Sequence, residues 1–177
     1  MIEGPNFLVT GRPGVGKTTL IRAVLRELGV DAGGFTTEEI REEGERVGFS
    51  ITDLKGGSGV LARVDLDSPW RVGRYGVNRA DLESIGVAAL DRAIAGARLI
   101  VMDEIGRMEL CSPLFQDAVG RALDAPIPVL GTIQDRRNPF LDGIRARNDV
   151  EVITLTESNR DAARQRVLTK VGEALEW

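Results

Sequence analysis

The sequence contains no histidine and a single cysteine, Cys111, and both scarcities limit its chemistry. One cysteine cannot form an internal disulfide, which favours a reducing compartment. Without histidine, the chain also lacks the usual base that activates a thiol for nucleophilic attack. Cys111 is therefore predicted to be a structural thiol rather than a nucleophile.

Aromatic residues are few, at 5% of the chain. Trp70, Tyr75 and Trp177 are too scattered along the sequence to form a surface on which bases could stack. We interpret these three side chains as packing residues.

Long apolar runs and an excess of positive charge are absent as well. No segment approaches the length that spans a membrane, and the N-terminal "MIEGPNFLVTG" lacks a basic stretch followed by a long apolar one. The net charge of -4 gives no broad basic field for a nucleic-acid backbone. We expect a soluble, cytoplasmic protein with no membrane or nucleic-acid partner, and a monomer is favoured.

The remaining composition is that of an ordinary globular protein. The chain has 177 residues, of which 42% are hydrophobic and 28% charged. This length fits one domain, and no internal repeat or linker divides it. We predict a single domain over residues 1–177.

Short apolar runs alternate with helical segments, which predicts an α/β fold around a mainly parallel sheet. "NFLVT" at 6–10 is a strand, and a Gly-rich turn leads into a helix that Gly29 is placed to end. "GGFTT" is the second strand. The segments "ERVGFSITDL" and "GVLARVDL", joined by "KGGSG", predict antiparallel hairpins inserted over about residues 35–76.

Regular alternation resumes after the hairpins. A helix is expected from about Asn78 or Asp81 to Ala95, followed by the strand "RLIVM". Ser112 and Pro113 form a good N-cap and first-turn pair for the next helix, which runs to about Leu123. The remaining elements are the strand "IPVLGTI", an Arg-rich connection at 135–149, the strand "VEVITL" and a last helix opened by Ser158.

The turn after the first strand carries a complete phosphate-binding motif. "GRPGVGKT" at 11–18 fits the P-loop pattern G-x-x-x-x-G-K-[ST], between a strand and a helix. Glycines allow the backbone to approach phosphates closely, so that N–H groups near a helix N-terminus point at their oxygens. Lys17 can bind the β- and γ-phosphates, and the Thr18 hydroxyl can be a ligand of Mg²⁺.

Two adjacent acids follow the strand "RLIVM". A P-loop requires a carboxylate at the end of a neighbouring strand to hold Mg²⁺, and Asp103 fits this Walker B role. Glu104 occupies the next position, where a carboxylate close to the γ-phosphate can act as a general base toward water. An acidic strand-to-loop turn is the structural alternative. Glu109 is expected to be structural.

The order and spacing of several segments resemble the small nucleoside-triphosphatase family. They are "GRPGVGKTTL", "GGFTTEEIRE", "RVGFSITDL", "RVGRYGVNRADLE", "VMDEIGRMEL" and "VLGTIQ". The resemblance covers nearly the whole chain. It implies a three-layer, RecA-like P-loop domain that hydrolyses ATP, GTP and other nucleoside triphosphates to diphosphates with Mg²⁺ and with broad tolerance of the base.

The resemblance also implies which residues bind the nucleotide. Arg107 follows "DEIG", where the family commonly has lysine, so planar donors replace an ammonium. The first nucleotide-binding segment comprises Gly11, Arg12, Pro13, Gly14, Val15, Gly16, Lys17 and Thr18. The second comprises Ile100, Val101, Met102, Asp103, Glu104, Ile105, Gly106 and Arg107.

Further candidates come from analogy with this branch of P-loop proteins. There, another strand separates the P-loop strand from the Asp-Glu strand, and "VLGTI" would be that strand, with Thr132 as a γ-phosphate sensor or an ordinary strand-end residue. Asn159 and Arg160 follow the last strand. They could contact the base, or simply form a helix N-terminus.

Several charged residues have weaker claims to a role. Arg41 could be an internal arginine finger, with Glu38 nearby, although "TTEEIRE" could also be a solvated charge run. A lid closing over phosphates and a flexible basic loop are both open for the arginines of the 135–149 connection. They are Arg136, Arg137, Arg145 and Arg147.

Three functions are compatible with these motifs. The first is a Mg²⁺-dependent nucleoside triphosphatase, in which Glu104 orients water. The second is a nucleotide or small-molecule kinase that uses the same P-loop, and the third is a nucleotide-dependent binding switch acting on a protein or RNA. The resemblance favours the first, and the arginines between 136 and 147 are the best argument for the second.

Overall fold

The computed structural model describes residues 5–176, and within them one sheet of nine strands carries helices on both faces. The strands are β1 (Asn6–Thr10), β2 (Ala32–Glu42), β3 (Glu45–Asp53), β4 (Ser58–Arg63), β5 (Arg71–Val72), β6 (Tyr75–Val77), β7 (Leu99–Ile105), β8 (Val129–Ile133) and β9 (Val150–Thr154). The helices are α1 (Lys17–Leu28), α2, α3 (Pro113–Asp124), α4 (Pro139–Arg145) and α5 (Arg160–Leu175). Helix α2 has three consecutive parts, Arg79–Asp81, a π-helical Leu82–Val87 and Ala88–Gly96.

The strands lie in the order β5-β6-β4-β3-β2-β7-β8-β1-β9. The five strands β2, β7, β8, β1 and β9 pair in parallel. All five residues of β1 and of β8 are buried, as expected for strands covered by helices on both faces. Strand β8 separates β1 from β7, which is the arrangement that the resemblance implied.

Strand β2 joins the parallel part of the sheet to an antiparallel part. Its first half, Ala32–Thr36, pairs with β7, and its second half continues beyond β7 to pair with β3. Strands β3, β4, β6 and β5 then follow as an antiparallel extension. The α/β fold with an inserted hairpin region is therefore confirmed, and the outermost strands are β5, of two residues, and β9, of five.

Helices cover the two faces of the sheet unequally. On one face, Val24 of α1 and Val167 of α5 belong to the same core cluster as Val9 of β1. On the other face, helices α2, α3 and α4 contribute Leu90, Phe115 and Ile144 to the larger cluster. These three layers bring the carboxyl ends of the parallel strands together at one edge, which is where ligands bind in such sheets.

The predicted helix ends agree with the structure at two places. Gly29 ends α1 in the left-handed conformation, with φ of 58°. Ser112 caps α3 by accepting a hydrogen bond from the Phe115 N–H, and Pro113 occupies the first turn. Both ends follow from short-range stereochemistry, which a sequence pattern carries directly.

Other local predictions were wrong. Asn159, not Ser158, is the N-cap residue of α5, and the connection at 135–149 contains helix α4, capped by Asn138. Trp70 is not a packing residue, because 40% of its surface is exposed, whereas Tyr75 is buried as predicted. Trp177 lies outside the described residues. Within the described part of the chain, no helix combines the length and the apolar character that crossing a membrane requires.

Candidate active site at the carboxyl edge of the sheet

The P-loop connects the end of β1 to the start of α1. Thr10 ends the strand, and α1 begins at Lys17 with Gly16 as its N-cap residue. Gly14 and Gly16 have φ of 77° and 110°, a region in which any other side chain would be strained. The two glycines therefore let the loop turn tightly around the exposed N–H groups of the first helical turn.

The Lys17 ammonium folds back over this loop. It donates hydrogen bonds to the carbonyl oxygens of Gly11 and Arg12, at 2.9 and 3.2 Å. An ammonium has three donors and a flexible stem, so these contacts hold the charge over the loop without fixing it permanently. Lys17 is thus placed where phosphates bound by the loop amides would lie.

Asp103 lies near the end of β7 and is almost fully buried. The Thr132 hydroxyl, on neighbouring β8, donates a 2.7 Å hydrogen bond to Asp103 Oδ1. The other carboxylate oxygen, Oδ2, is buried without a hydrogen-bond partner. Burial raises the pKa of Asp103, and the nearby hydroxyl groups of Thr132 and Thr18 partly oppose this rise.

An unpaired buried carboxylate oxygen costs free energy unless something binds it. Because the Thr18 hydroxyl is near enough to this carboxylate to lower its pKa, Asp103 and Thr18 bring together the two oxygen types that a Mg²⁺ ion would need from the protein. Among residues 5–176, no group of three or more His, Cys, Asp or Glu side chains could hold a metal ion. A metal at this site would therefore take its other ligands from phosphates and water.

Glu104 is the next residue along β7 and is half-buried. Burial raises the pKa of its carboxyl group, the positive charge of Lys17 lowers it, and the negative charge of Asp103 raises it again. A carboxylate with a raised pKa is a stronger proton acceptor once it is ionised. Glu104 therefore combines partial exposure, proximity to Lys17 and increased basicity.

A third acid, Glu109, lies next to Glu104 and is only 4% exposed. A Cβ atom on Gly106 would lie 3.1 Å from Glu104 Oε1, 3.2 Å from Gln134 Oε1 and 3.3 Å from Glu109 Oε2. Gln134 Oε1 accepts a hydrogen bond from the Arg107 N–H. The sequence did not reveal this cluster, because its members meet only when the chain folds.

Thr132 and the two residues after the last strand differ in how free their side chains are. Thr132 is fully buried and its hydroxyl donates to Asp103. Asn159 uses its amide within its own loop, accepting from the Thr156 N–H and donating to the Thr154 carbonyl. Arg160 donates from Nε to the Val15 carbonyl, so it lies directly against the P-loop.

Glu38 and Arg41 take separate positions on β2. Glu38 forms an ion pair with Arg22 of α1. Arg41 pairs with Glu39 at 2.7 Å and donates to the Gly44 carbonyl, close to the turn between β2 and β3. The structure does not place the Arg41 guanidinium on the P-loop, and its contacts are those of a surface ion pair.

The arginines of the 135–149 segment are divided between fixed and exposed positions. Arg145 donates to the Gln134 carbonyl and pairs with Asp142. Arg147 pairs with Asp124 and Asp149. These two are held in place rather than mobile. Arg137 is 94% exposed, with one long ion pair, and Arg136 is also exposed.

Comparison with known proteins gives consistent matches over nearly the whole chain. A family model described as NTPase matches residues 6–168. The nucleoside-triphosphatase THEP1 of Thermotoga maritima is 50% identical over 163 residues, which are 92% of this chain and 93% of that protein. The human cancer-related nucleoside-triphosphatase is 41% identical over 182 residues, covering 94% of this chain and 96% of the human protein.

Solved structures match in three dimensions as well. The crystal structure of THEP1 from Aquifex aeolicus superposes with a TM-score of 0.86 at 36% identity, covering 94% of this chain and 98% of that one. The solution structure of the human cancer-related protein gives a TM-score of 0.81 at 39% identity. The sequence comparison and the structure comparison therefore match the same group of proteins.

Proposed function

Because the chain belongs to this nucleoside-triphosphatase family and is an enzyme of that class, we propose that it hydrolyses ATP, GTP and other nucleoside triphosphates to diphosphates in a Mg²⁺-dependent reaction. The observation that carries the proposal is Asp103, whose buried Oδ2 lacks a partner beside the P-loop residue Thr18. A divalent cation bound there would compensate this charge.

Thr18 and Asp103 would hold Mg²⁺ from the protein side. When bound, the ion would neutralise charge on the β- and γ-phosphate oxygens. Thr132 keeps the Asp103 carboxylate oriented through its 2.7 Å hydrogen bond, leaving the second oxygen for the metal. Arg160 would support the P-loop from outside through the Val15 carbonyl.

The remaining steps rest on Lys17, the loop amides and Glu104. The amides between Gly11 and Thr18 bind phosphate oxygens, and Lys17 shifts one or more of its donors from the loop carbonyls to the phosphates. Glu104 orients a water molecule in line with the γ-phosphate and accepts its proton as the water oxygen attacks. The increased basicity of a half-buried carboxylate favours this transfer.

Broad base tolerance is part of the proposal. All of the binding groups named so far act on phosphates, which every nucleoside triphosphate carries. The Asn159 amide, the best-placed polar group after β9, is occupied by hydrogen bonds within its own loop. Without a free donor and acceptor pair at that position, hydrogen bonds from Asn159 would not select one base over another.

We further propose that the enzyme acts as a cytoplasmic monomer and does not need nucleic acid. The single cysteine supports the cytoplasmic location, and the net charge of -4 supports the independence from nucleic acid. Light scattering measured together with size-exclusion chromatography tests the oligomeric state. Activity that is unchanged by added RNA or DNA tests the independence from nucleic acid.

Release of inorganic phosphate from ATP tests the hydrolytic reaction. With Mg²⁺ and no acceptor, the parent protein should turn over steadily, and Glu104→Gln should lower kcat by about 100-fold or more while ATP still binds. Glu173→Gln, an exposed glutamate on α5, is the matched control and should keep full activity. Chelation of Mg²⁺ should stop the reaction.

The alternatives predict other results. If phosphate transfer is detectable only after a nucleoside or another small acceptor is added, the enzyme is a kinase and the hydrolytic proposal is wrong. If turnover requires a protein or RNA, the binding switch is correct instead.

A further inference from the structure

A groove of about 410 Å³ opens beside the loop that follows β7. Its volume lies in the range of small-molecule sites. It is formed by three segments that are distant in sequence, namely the chain between β4 and β6, the loop after β7 and the start of α4. We call it the Trp70 groove. The lining residues used in the argument are Trp70, Val72, Arg107, Leu110, Cys111 and Asn138.

Trp70 presents an aromatic ring that is already held in position. Within residues 5–176 it is one of two large hydrophobic side chains that are exposed, the other being Leu114. The Arg79 guanidinium lies 4.9 Å from the centre of the indole ring, and Glu83 fixes that guanidinium with a 2.8 Å ion pair. Trp70 lines the groove and Arg79 does not, so the cation lies outside the groove and the indole supplies its aromatic surface.

The polar groups of the groove are donors. Arg107 is exposed, and its guanidinium makes no hydrogen bond or ion pair with any residue that the structure describes, whereas its backbone N–H is held by Gln134. The Asn138 side-chain oxygen caps α4 by accepting from the Phe140 N–H, so its amide N–H groups remain available. Two arginines and no carboxylate line the groove. It therefore favours an anionic group.

The groove and the proposed active site share the loop that follows β7. Arg107 follows Glu104 by three residues, and Gly106, between them, packs against Glu104 Oε1. Both lie at the carboxyl edge of the parallel sheet, the edge that also carries the P-loop. A molecule in the groove would contact this loop without using the P-loop itself.

From these contacts we propose that the Trp70 groove binds a second small molecule, a nucleoside monophosphate or a similar aromatic phosphate. Its ring would stack on Trp70, and its phosphate would bind Arg107 and the Asn138 amide. The proposal rests on the proposed function only in assigning the triphosphate to the P-loop. It leaves Lys17, Asp103 and Glu104 with the roles already given.

Intrinsic fluorescence can report on the groove, because the chain has two tryptophans. In Trp177→Phe, Trp70 is the sole reporter. This variant, saturated with Mg²⁺ and a non-hydrolysable ATP analogue, is titrated with GMP, with guanosine and with ribose 5-phosphate. GMP should change the Trp70 emission saturably. Guanosine, which lacks the phosphate, and ribose 5-phosphate, which lacks the base, should each bind more weakly than GMP.

Substitution of Arg107 separates this site from the P-loop. Arg107→Ala should weaken GMP binding about tenfold or more, as expected for a lost charge-assisted hydrogen bond. Arg136→Ala, a nearby exposed arginine outside the groove, is the matched control and should change nothing. The rate at which a thiol reagent alkylates Cys111, the sole cysteine, gives an independent readout and should fall when GMP binds.

Three results would overturn the proposal. They are no saturable response to GMP, a response that Arg107→Ala leaves intact, and loss of GMP binding in proportion to occupancy by the ATP analogue, which would place GMP in the P-loop. A higher KM for ATP in Arg107→Ala, with GMP binding unchanged, would assign Arg107 to the triphosphate instead. Phosphate release in the absence of GMP is measured separately, so failure here leaves the hydrolytic function standing.

Discussion

Gly106 is the residue around which the acidic side chains of the site converge. Oxygen atoms of Glu104, Gln134 and Glu109 all lie within 3.3 Å of the point where its Cβ atom would be. A methyl group there would displace at least one of them, and Glu104 Oε1, at 3.1 Å, is the nearest. The absence of a side chain at position 106 thus allows the Glu104 carboxylate to lie close to the buried Glu109.

Glu109 gives this cluster a pH dependence. Burial, followed by the negative charge of Glu104, raises the pKa of Glu109 to about 8 from an ordinary value of 4.5. A carboxyl group with a higher pKa in the folded protein binds its proton more tightly there than in the unfolded chain. Its contribution to stability is therefore complete below pH 4.5 and is lost as the pH rises to about 8.

We accordingly expect Glu109→Gln, which cannot ionise, to remove part of the pH dependence of stability. Between pH 4.5 and 8, the free energy of unfolding should fall less in the variant than in the parent. The difference should be on the order of a few kcal/mol, since one pKa unit corresponds to about 1.4 kcal/mol. Urea denaturation across this range measures it. Glu173→Gln is the control, and parallel curves for parent and Glu109→Gln would contradict the assignment.

At the scale of elements, Ser112 links two helices. Its hydroxyl accepts from the Phe115 N–H at the start of α3 and donates a 2.8 Å hydrogen bond to Glu83 of α2. Because Ser112 is fully buried, Ser112→Ala leaves both partners poorly satisfied. The substitution should lower the free energy of unfolding by about 1–3 kcal/mol.

Ser158→Ala is the matched control for this measurement. Ser158 is exposed just before α5, and its hydroxyl contacts only Thr156, at 3.2 Å. Removal of an exposed hydroxyl that caps no helix should change stability by less than about 0.5 kcal/mol. Equal losses in the two serine variants would show that the hydrogen bonds of Ser112 add no stability beyond that of an exposed hydroxyl. The comparison uses chemical denaturation at one pH.

The difference between these serines also shows what a sequence can predict about elements. The Ser112-Pro113 pair determines a helix start locally, so that prediction was right. At α5, Ser158 and Asn159 are both good capping residues, and only the loop hydrogen bonds of Asn159 decide between them. Helix α4 was missed because arginines and aspartates dominate its neighbourhood, although Asn138-Pro139 is itself a capping signal.

For the whole molecule, nucleotide binding should appear as added stability. A ligand that binds only the folded state stabilises it by about 2.7 kcal/mol at 100 times its Kd. In Glu104→Gln, which we expect to bind without rapid turnover, ATP with Mg²⁺ should therefore raise the Tm clearly more than ATP alone. Thermal denaturation measures this difference.

Asp103→Asn is the variant that tests the source of the effect. It retains the shape of the side chain next to Thr18 and Thr132 but replaces one carboxylate oxygen with an NH2 group and removes the negative charge. The additional rise in Tm caused by Mg²⁺ should disappear in Asp103→Asn. A rise in Tm as large as that without the substitution would mean that the ion is bound elsewhere.

The candidate site was only partly accessible from the sequence. Gly11 to Thr18 and the pair Asp103 and Glu104 could be proposed because each is contiguous in the chain. Gln134 and Glu109 could not, since their relation to Glu104 depends on β8 lying beside β7 and on the turn at Gly106. The Trp70 groove is harder still to foresee, because it combines three segments.

The two outer strands of the sheet have a consequence for behaviour at high concentration. An unpaired strand edge is a template on which another chain can add, the first step toward amyloid-like aggregation. Here one edge is the two-residue β5, which begins with Arg71, and the other is the five-residue β9, where Glu151 pairs with Arg166. Short edge strands with charged side chains disfavour such growth. We therefore expect the protein to resist aggregation although its sheet has two unpaired edges.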